Sequence, residues 1–163
     1  MIEVVVQGLT IDPNSNNPVL ILKEKAGERV MPIWIGLFEA NSIAMHLGEV
    51  RPPRPMTHDL LNSVVRDTGM SVKRVSVTDL KDNTFYATIL LERDQTEVMI
   101  DSRPSDAVAL AVRSQAPIFI DSSVFEQSAI EIASLEISGD SEKDKWTDLL
   151  DKLDPEDFSK YKM

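Results

Sequence analysis

The run Ile100-Asp101-Ser102-Arg103-Pro104-Ser105-Asp106-Ala107 crowds two carboxylates, two hydroxyls and a guanidinium into the join between an apolar strand and an apolar helix. A helix start requires only a cap, so the surplus points to chemistry. Asp101 and Asp106, joined by Glu39 from an earlier helix start, make an oxygen donor set of the kind that holds Mg²⁺ or Mn²⁺ and leaves waters on the ion. A water activated in this way attacks a phosphate while Arg103 and Arg54 clamp its non-bridging oxygens. Ser102 and Ser105 offer hydroxyls to the same substrate. His58, at a helix start between Arg54 and Asp59, is the alternative base. A competing account pairs Arg103 locally with Asp101 or Asp106, and the corner then merely begins a helix. His46 reads as a partly exposed residue within a helix.

These side chains need elements to carry them. Ser102 is a natural N-cap, Pro104 suits a first turn where its missing N–H would be unpaired anyway, and Asp106 sits at the positive end of the helix dipole. Upstream, residues 2–11, 19–24 and 29–35 read as strands of an N-terminal meander, with Asp12–Pro18 as a turn dense in Asn, Ser and Pro. Leu37, Ala40, Ile43, Ala44 and Leu47 then form one apolar stripe of a helix over 37–47. The stiff Arg51-Pro52-Pro53-Arg54-Pro55 segment delivers two arginines to a second helix, capped by Thr57 and stopped by Gly69. Strands follow over 71–79, 84–92 and 97–100, the first two joined through Asp82-Asn83, and short strands over 117–120 and 130–137 come after the third helix. A faint repeat aligns Met31–Ala44 with Val98–Ala111, placing Glu39 and Asp106 at equivalent helix starts.

The expected fold is therefore α+β: a mixed, largely antiparallel sheet with two or three packed helices, a strand-helix duplication and a short C-terminal helix. The domain boundary falls at 137. Residues 138–163 read as an acidic linker followed by an amphipathic helix carrying Trp146, Leu149, Leu150 and Leu153.

The 163 residues suit one domain with an appendage, and no apolar run is long enough for a membrane span. Cysteine is absent, which removes disulfides, a thiolate nucleophile and thiolate-bound zinc. The first residues enter strand alternation without a basic leader, so a cytoplasmic setting is expected. A net charge of −10 opposes nucleic-acid binding unless a cation changes the local sign. Eight acids against five lysines leave residues 138–163 at −3 and the body at −7. No Gly-rich phosphate loop, nucleophile elbow or paired-His helix is present.

Gly36 with Glu39-Ala40, Arg54-Pro55-x-Thr57-His58-Asp59-Leu60, Phe85-Tyr86-Ala87 and Ile100-Asp101-Ser102-Arg103-Pro104-Ser105-Asp106-Ala107 resemble the bifunctional nuclease family over about residues 1–135. The resemblance implies an α+β fold and, from plant members, hydrolysis of RNA and DNA. It carries no assignment of catalytic residues, so the roles above rest on residue chemistry. The first reading is a metal-assisted phosphodiesterase, with His58 or a metal-bound water as base. In that reading His58, Asp101, Arg103 and Asp106 are catalytic, Arg54, Ser102 and Ser105 bind substrate, and Glu39, Asp101 and Asp106 hold Mg²⁺ or Mn²⁺. The alternative is a non-catalytic, dimeric binding or regulatory domain that recognises a small anion or a protein. Net acidity favours the alternative and the resemblance favours the first. Nucleic acid and a second copy of the chain are the expected partners.

Overall fold

Two antiparallel meanders form one continuous sheet because a short strand lies between them and pairs with both. In the computed structural model, residues 1–12 and 15–131 are described. The first meander comprises β1 (Ile2–Ile11), β2 (Pro18–Glu24) and β3 (Arg29–Trp34), and leads into α1 (Leu37–Leu47). After α2 (Thr57–Asp67), the second meander comprises β4 (Ser71–Lys81), β5 (Thr84–Arg93) and β6 (Thr96–Ser102), and leads into α3 (Pro104–Ser114). The described chain ends in β7 (Ile118–Ile120), α4 (Ser122–Ser128) and β8 (Ile130–Glu131).

The sheet has eight strands in the order β6-β5-β4-β7-β1-β2-β3-β8. Ile118 of β7 pairs with Val4 of β1 in antiparallel fashion and with Val75 of β4 in parallel. β4 to β7 is the one parallel pair in the order, and the intervening β5, β6 and α3 supply the long crossover that a parallel pair needs. Mixed and largely antiparallel is thus the observed fold class. Each half runs strand, strand, strand, helix, as β1-β2-β3-α1 and β4-β5-β6-α3.

Local chemistry explains the turns. Asp82 and Asn83 both adopt positive φ, 49° and 58°, which a two-residue turn between twisted strands demands and which Asp and Asn tolerate. Pro104 disfavours helical backbone at the residue before it, so Arg103 stays extended at φ −70° and ψ 146° and becomes the N-cap of α3. The expected cap, Ser102, thus lies one residue too early. Met56, in place of the expected Thr57, caps α2, because Asp59 reaches back to accept the Met56 N–H at 2.9 Å.

The core lies between the sheet and its helices. Leu20, Leu22, Ile33, Val75, Val77, Ala87, Ile89 and Leu91 are buried from the strands. Ala40, Ile43 and Ala44 of α1 and Ala107 to Ala111 of α3 are buried from the helices. α3 is buried nearly all round, and its alanines leave room for α1 and α2, both of which pack on it. Of the expected final strand over 130–137, Ile130–Glu131 pairs with β3; the remainder, and the expected linker and helix of 138–163, lie outside the described residues. α4, which Asp121 caps through the Ser123 N–H, did not emerge from the sequence pattern. No helix among the described residues is long and apolar enough to cross a membrane.

Ile43 on the buried face of α1 is fully buried, whereas Leu60 on α2 is 57% exposed. Ile43→Ala is expected to cost about 2–5 kcal/mol, and Leu60→Ala less than about 0.5 kcal/mol, as measured by urea unfolding.

Candidate functional site

Three helix starts converge, and each carries an acid at its third residue: Glu39 on α1, Asp59 on α2 and Asp106 on α3. That position favours a carboxylate through the helix dipole and the unpaired N–H groups. Glu39 and Asp106 do occupy equivalent places in the two halves, and one guanidinium bridges them. Arg103 donates from Nη2 to Glu39 Oε1 at 2.5 Å and from Nε to Asp106 Oδ2 at 2.7 Å. The Glu39 side chain is 12% exposed and that of Arg103 is 66% exposed, so the carboxylate is sunk in the protein while the cation faces solvent. Gly36 allows this, because a β-carbon there would lie 2.2 Å from Glu39 Oε2.

The second oxygen of Asp106 continues the chain of contacts. Oδ1 lies 3.0 Å from His58 Nε2, and His58 Nδ1 lies 2.9 Å from Ser42 Oγ. An ionised carboxylate only accepts, so the imidazole proton sits on Nε2 and donates to Asp106. In the neutral ring Nδ1 then carries the lone pair and accepts from the Ser42 hydroxyl. His58 is 9% exposed, so this chain is held rather than solvated. The His58 bond, with Arg103 behind it, holds the Asp106 carboxyl below the usual carboxylate range against the opposing effect of burial. Asp106 in turn, with help from Glu39, raises Arg103 further above its already high value.

A third connection ties the helices together beneath this chain. Arg113, whose side chain is 6% exposed, donates from Nε to Asp59 Oδ1 at 2.6 Å, from Nη1 to the Ala109 carbonyl at 2.9 Å and from Nη2 to the Ser42 carbonyl at 3.1 Å. Burial works to raise the Asp59 pKa, but the Arg113 bond and the Met56 N–H outweigh it and leave the group low. No buried side-chain polar atom among the described residues lacks a partner.

These residues line a cleft of about 560 Å³, walled on one side by the Arg51–Pro55 segment. Of the side chains singled out in the sequence, Glu39, Arg54, His58, Arg103 and Asp106 border it. Asp101, Ser102 and Ser105 do not. Asp101 is exposed on β6, in register with Thr88, because the chain turns only at Arg103. Ser102 donates to the Arg103 carbonyl at 3.0 Å, and Ser105 is buried at 5% exposure. His46 lies on an exposed position of α1 and also borders the cleft.

The oxygen donors proposed for Mg²⁺ or Mn²⁺ do not assemble as a ligand set. Glu39 and Asp106 each commit an oxygen to Arg103, whose guanidinium stands where a cation would neutralise them, and Asp101 is elsewhere. Among the described residues no three His, Asp or Glu side chains come close enough together to hold a metal. Two other groups escaped the sequence reading. Ser42 lies with Glu39 and His46 on a polar stripe of α1, and Arg113 lies seven residues beyond Asp106 on the same face of α3. Both spacings were available as signals.

The Bifunctional nuclease domain profile matches residues 20–133, which is most of the chain. The chain belongs to that family. An uncharacterized protein of Mycobacterium tuberculosis is 39% identical over 163 residues, covering 96% of this chain and 97% of its own length. Bifunctional nuclease 2 of Oryza sativa subsp. japonica is 27% identical over 122 residues, 72% of this chain, and Bifunctional nuclease 1 of Arabidopsis thaliana is 27% identical over 119 residues, 71% of this chain. The matches span only 38% and 37% of those two plant proteins.

Two outcomes follow from this geometry. Gly36→Ala displaces the Glu39 carboxylate and leaves Arg103 on Asp106 alone, so crystallography of the variant is expected to show the Glu39–Arg103 bond broken while the Arg103–Asp106 bond and the fold persist. Asp106 has a folded pKa below its unfolded one, so its stabilising contribution is present above roughly pH 4 and is lost as the pH falls through the folded value. Urea unfolding at pH 7 and pH 3 is therefore expected to show a smaller acid-induced loss of stability in Asp106→Asn than in the parent.

Proposed function

We propose that the chain is a phosphodiester hydrolase that acts on RNA or DNA in the cleft between α1, α2 and the Arg51–Pro55 segment. The observation that carries this reading is the local reversal of charge. In a protein of net charge −10, the cleft gathers Arg51, Arg54, Arg103 and Arg113 against only Glu39, Asp59 and Asp106. Arg51 and Arg54 are exposed and make no ion pair with a described residue. Two guanidiniums without an ion-pair partner among the described residues, on a proline-stiffened segment, are preorganised for phosphate oxygens, which planar guanidinium binds in bidentate fashion. The family's plant members bear the name nuclease, which agrees with that ligand class.

Each residue has a role in this reading. Arg54 and Arg51 hold the phosphate. Arg103 offers its remaining Nη1 donors to developing charge while Glu39 and Asp106 keep it in position. His58 moves the proton, and Asp106 fixes its tautomer and orientation. No step is routed through a metal, because the carboxylates are spent on Arg103. Arg103 is solvent-exposed, so a substrate phosphate competes with Glu39 and Asp106 for its guanidinium.

The test uses purified protein with single-stranded RNA and DNA. Cleavage is expected for the parent and for Arg54→Ala with a raised KM, and is expected to weaken as salt rises because phosphate contacts are electrostatic. His58→Gln is expected to lower kcat by roughly 10²–10⁴-fold while circular dichroism reports an unchanged fold. Cleavage is expected to persist in excess chelator; its loss there would return Glu39 and Asp106 to the role of metal ligands. A parent protein that binds oligonucleotides through Arg54 but never cleaves them would make this a binding domain.

A further inference from the structure

We propose that Ser42 is the nucleophile of this cleft, so that hydrolysis passes through a covalent seryl intermediate. The inference deepens the phosphodiesterase reading and rests on it for the substrate, but not for the geometry. Ser42 Oγ, His58 Nδ1, His58 Nε2 and Asp106 Oδ1 follow one another at 2.9 Å and 3.0 Å, either side of one imidazole. This is the order of roles that activates a hydroxyl: a carboxylate that only accepts, an imidazole whose tautomer it dictates, and a hydroxyl aimed at the remaining lone pair.

Ser42 departs from ordinary helix behaviour in a telling direction. A serine inside a helix commonly bonds the carbonyl four residues back. Ser42 instead turns its hydroxyl across to α2, while its own carbonyl is pinned by Arg113 Nη2 at 3.1 Å. The backbone that carries the nucleophile is therefore fixed by a buried cation, and Ser42 lines the cleft that Arg54 and Arg103 also border. Asn41 and Ser63 border the same cleft, but no imidazole bonds either of them.

The chemistry balances without a further reactant. Ser42 Oγ bonds to phosphorus as its proton passes to His58 Nδ1. The bond from phosphorus to the leaving nucleoside oxygen breaks, and that oxygen takes the proton from Nδ1. Water then gives a proton to Nδ1 and bonds to phosphorus, and Ser42 Oγ departs with that proton. The net reaction is hydrolysis of one P–O bond, and the enzyme is restored.

Diisopropyl fluorophosphate tests the step independently of any nucleic acid, because an activated serine displaces its fluoride and keeps the phosphoryl group. The native parent is expected to gain the adduct in the tryptic peptide Val30–Arg66, with tandem mass spectrometry placing it on Ser42 and leaving Thr57 and Ser63 in that peptide unmodified. Protein unfolded in urea and folded Ser42→Ala are expected to gain none. Ser42→Ala is further expected to lose about 10³-fold or more in kcat on oligonucleotides, with an unchanged thermal midpoint. Labelling of Ser42 in a protein that cleaves no nucleic acid would support the nucleophile and overturn the phosphodiesterase reading. Absence of label on Ser42 overturns the nucleophile whatever the cleavage assay returns, and leaves His58 acting on water if cleavage is seen.

Discussion

The buried guanidinium of Arg113 is the constraint on which the site depends. It takes Asp59 from α2, the Ser42 carbonyl from α1 and the Ala109 carbonyl from its own helix, so a single planar group sets the spacing of all three helices. A buried charge is costly unless every donor finds an acceptor, and removing one partner of such a pair is far more damaging than the pair is stabilising. Arg113 thus contributes less to net stability than to specificity of arrangement. The Asp106–His58–Ser42 chain crosses the same three helices and is geometrically possible only when they stand at that spacing.

Arg103 performs a related task at the surface under different physics. Its pairs with Glu39 and Asp106 are short, yet the side chain is mostly in water, so they add little to stability. They hold a cation at the mouth of the cleft without burying it, which leaves it free to meet an anion. The chain therefore uses one arginine as a fixed strut and another as a displaceable one. The exposures of the two side chains, 6% and 66%, assign those roles.

Much of the architecture was legible because local rules and tertiary packing agree along most of this chain. The α1 stripe of Ala40, Ile43 and Ala44 is the buried face, the Asp82-Asn83 turn has the positive φ values its residues tolerate, and the two halves share one order of elements. The candidate site was legible only in part. Glu39, Arg54, His58, Arg103 and Asp106 do share one cleft. Asp101 was read as their neighbour because it adjoins Arg103 in sequence, but the pre-proline constraint delays the turn and leaves it on an exposed strand. Ser42 and Arg113 were missed because their importance lies in contacts 16 and 54 to 71 residues away. No local pattern encodes such distances. Their helical spacing from Glu39 and Asp106 was the available clue.

The acidity of the chain and the anionic substrate of the proposed reading are reconciled by where the charge sits. Long-range repulsion between exposed charges is damped within about 10 Å at ordinary ionic strength, so the field at the cleft is governed by the residues lining it. There, Glu39, Asp59 and Asp106 are each already paired with arginine or imidazole, whereas Arg51 and Arg54 make no ion pair with a described residue. An approaching phosphate meets two uncommitted cations and no uncommitted carboxylate among the described lining.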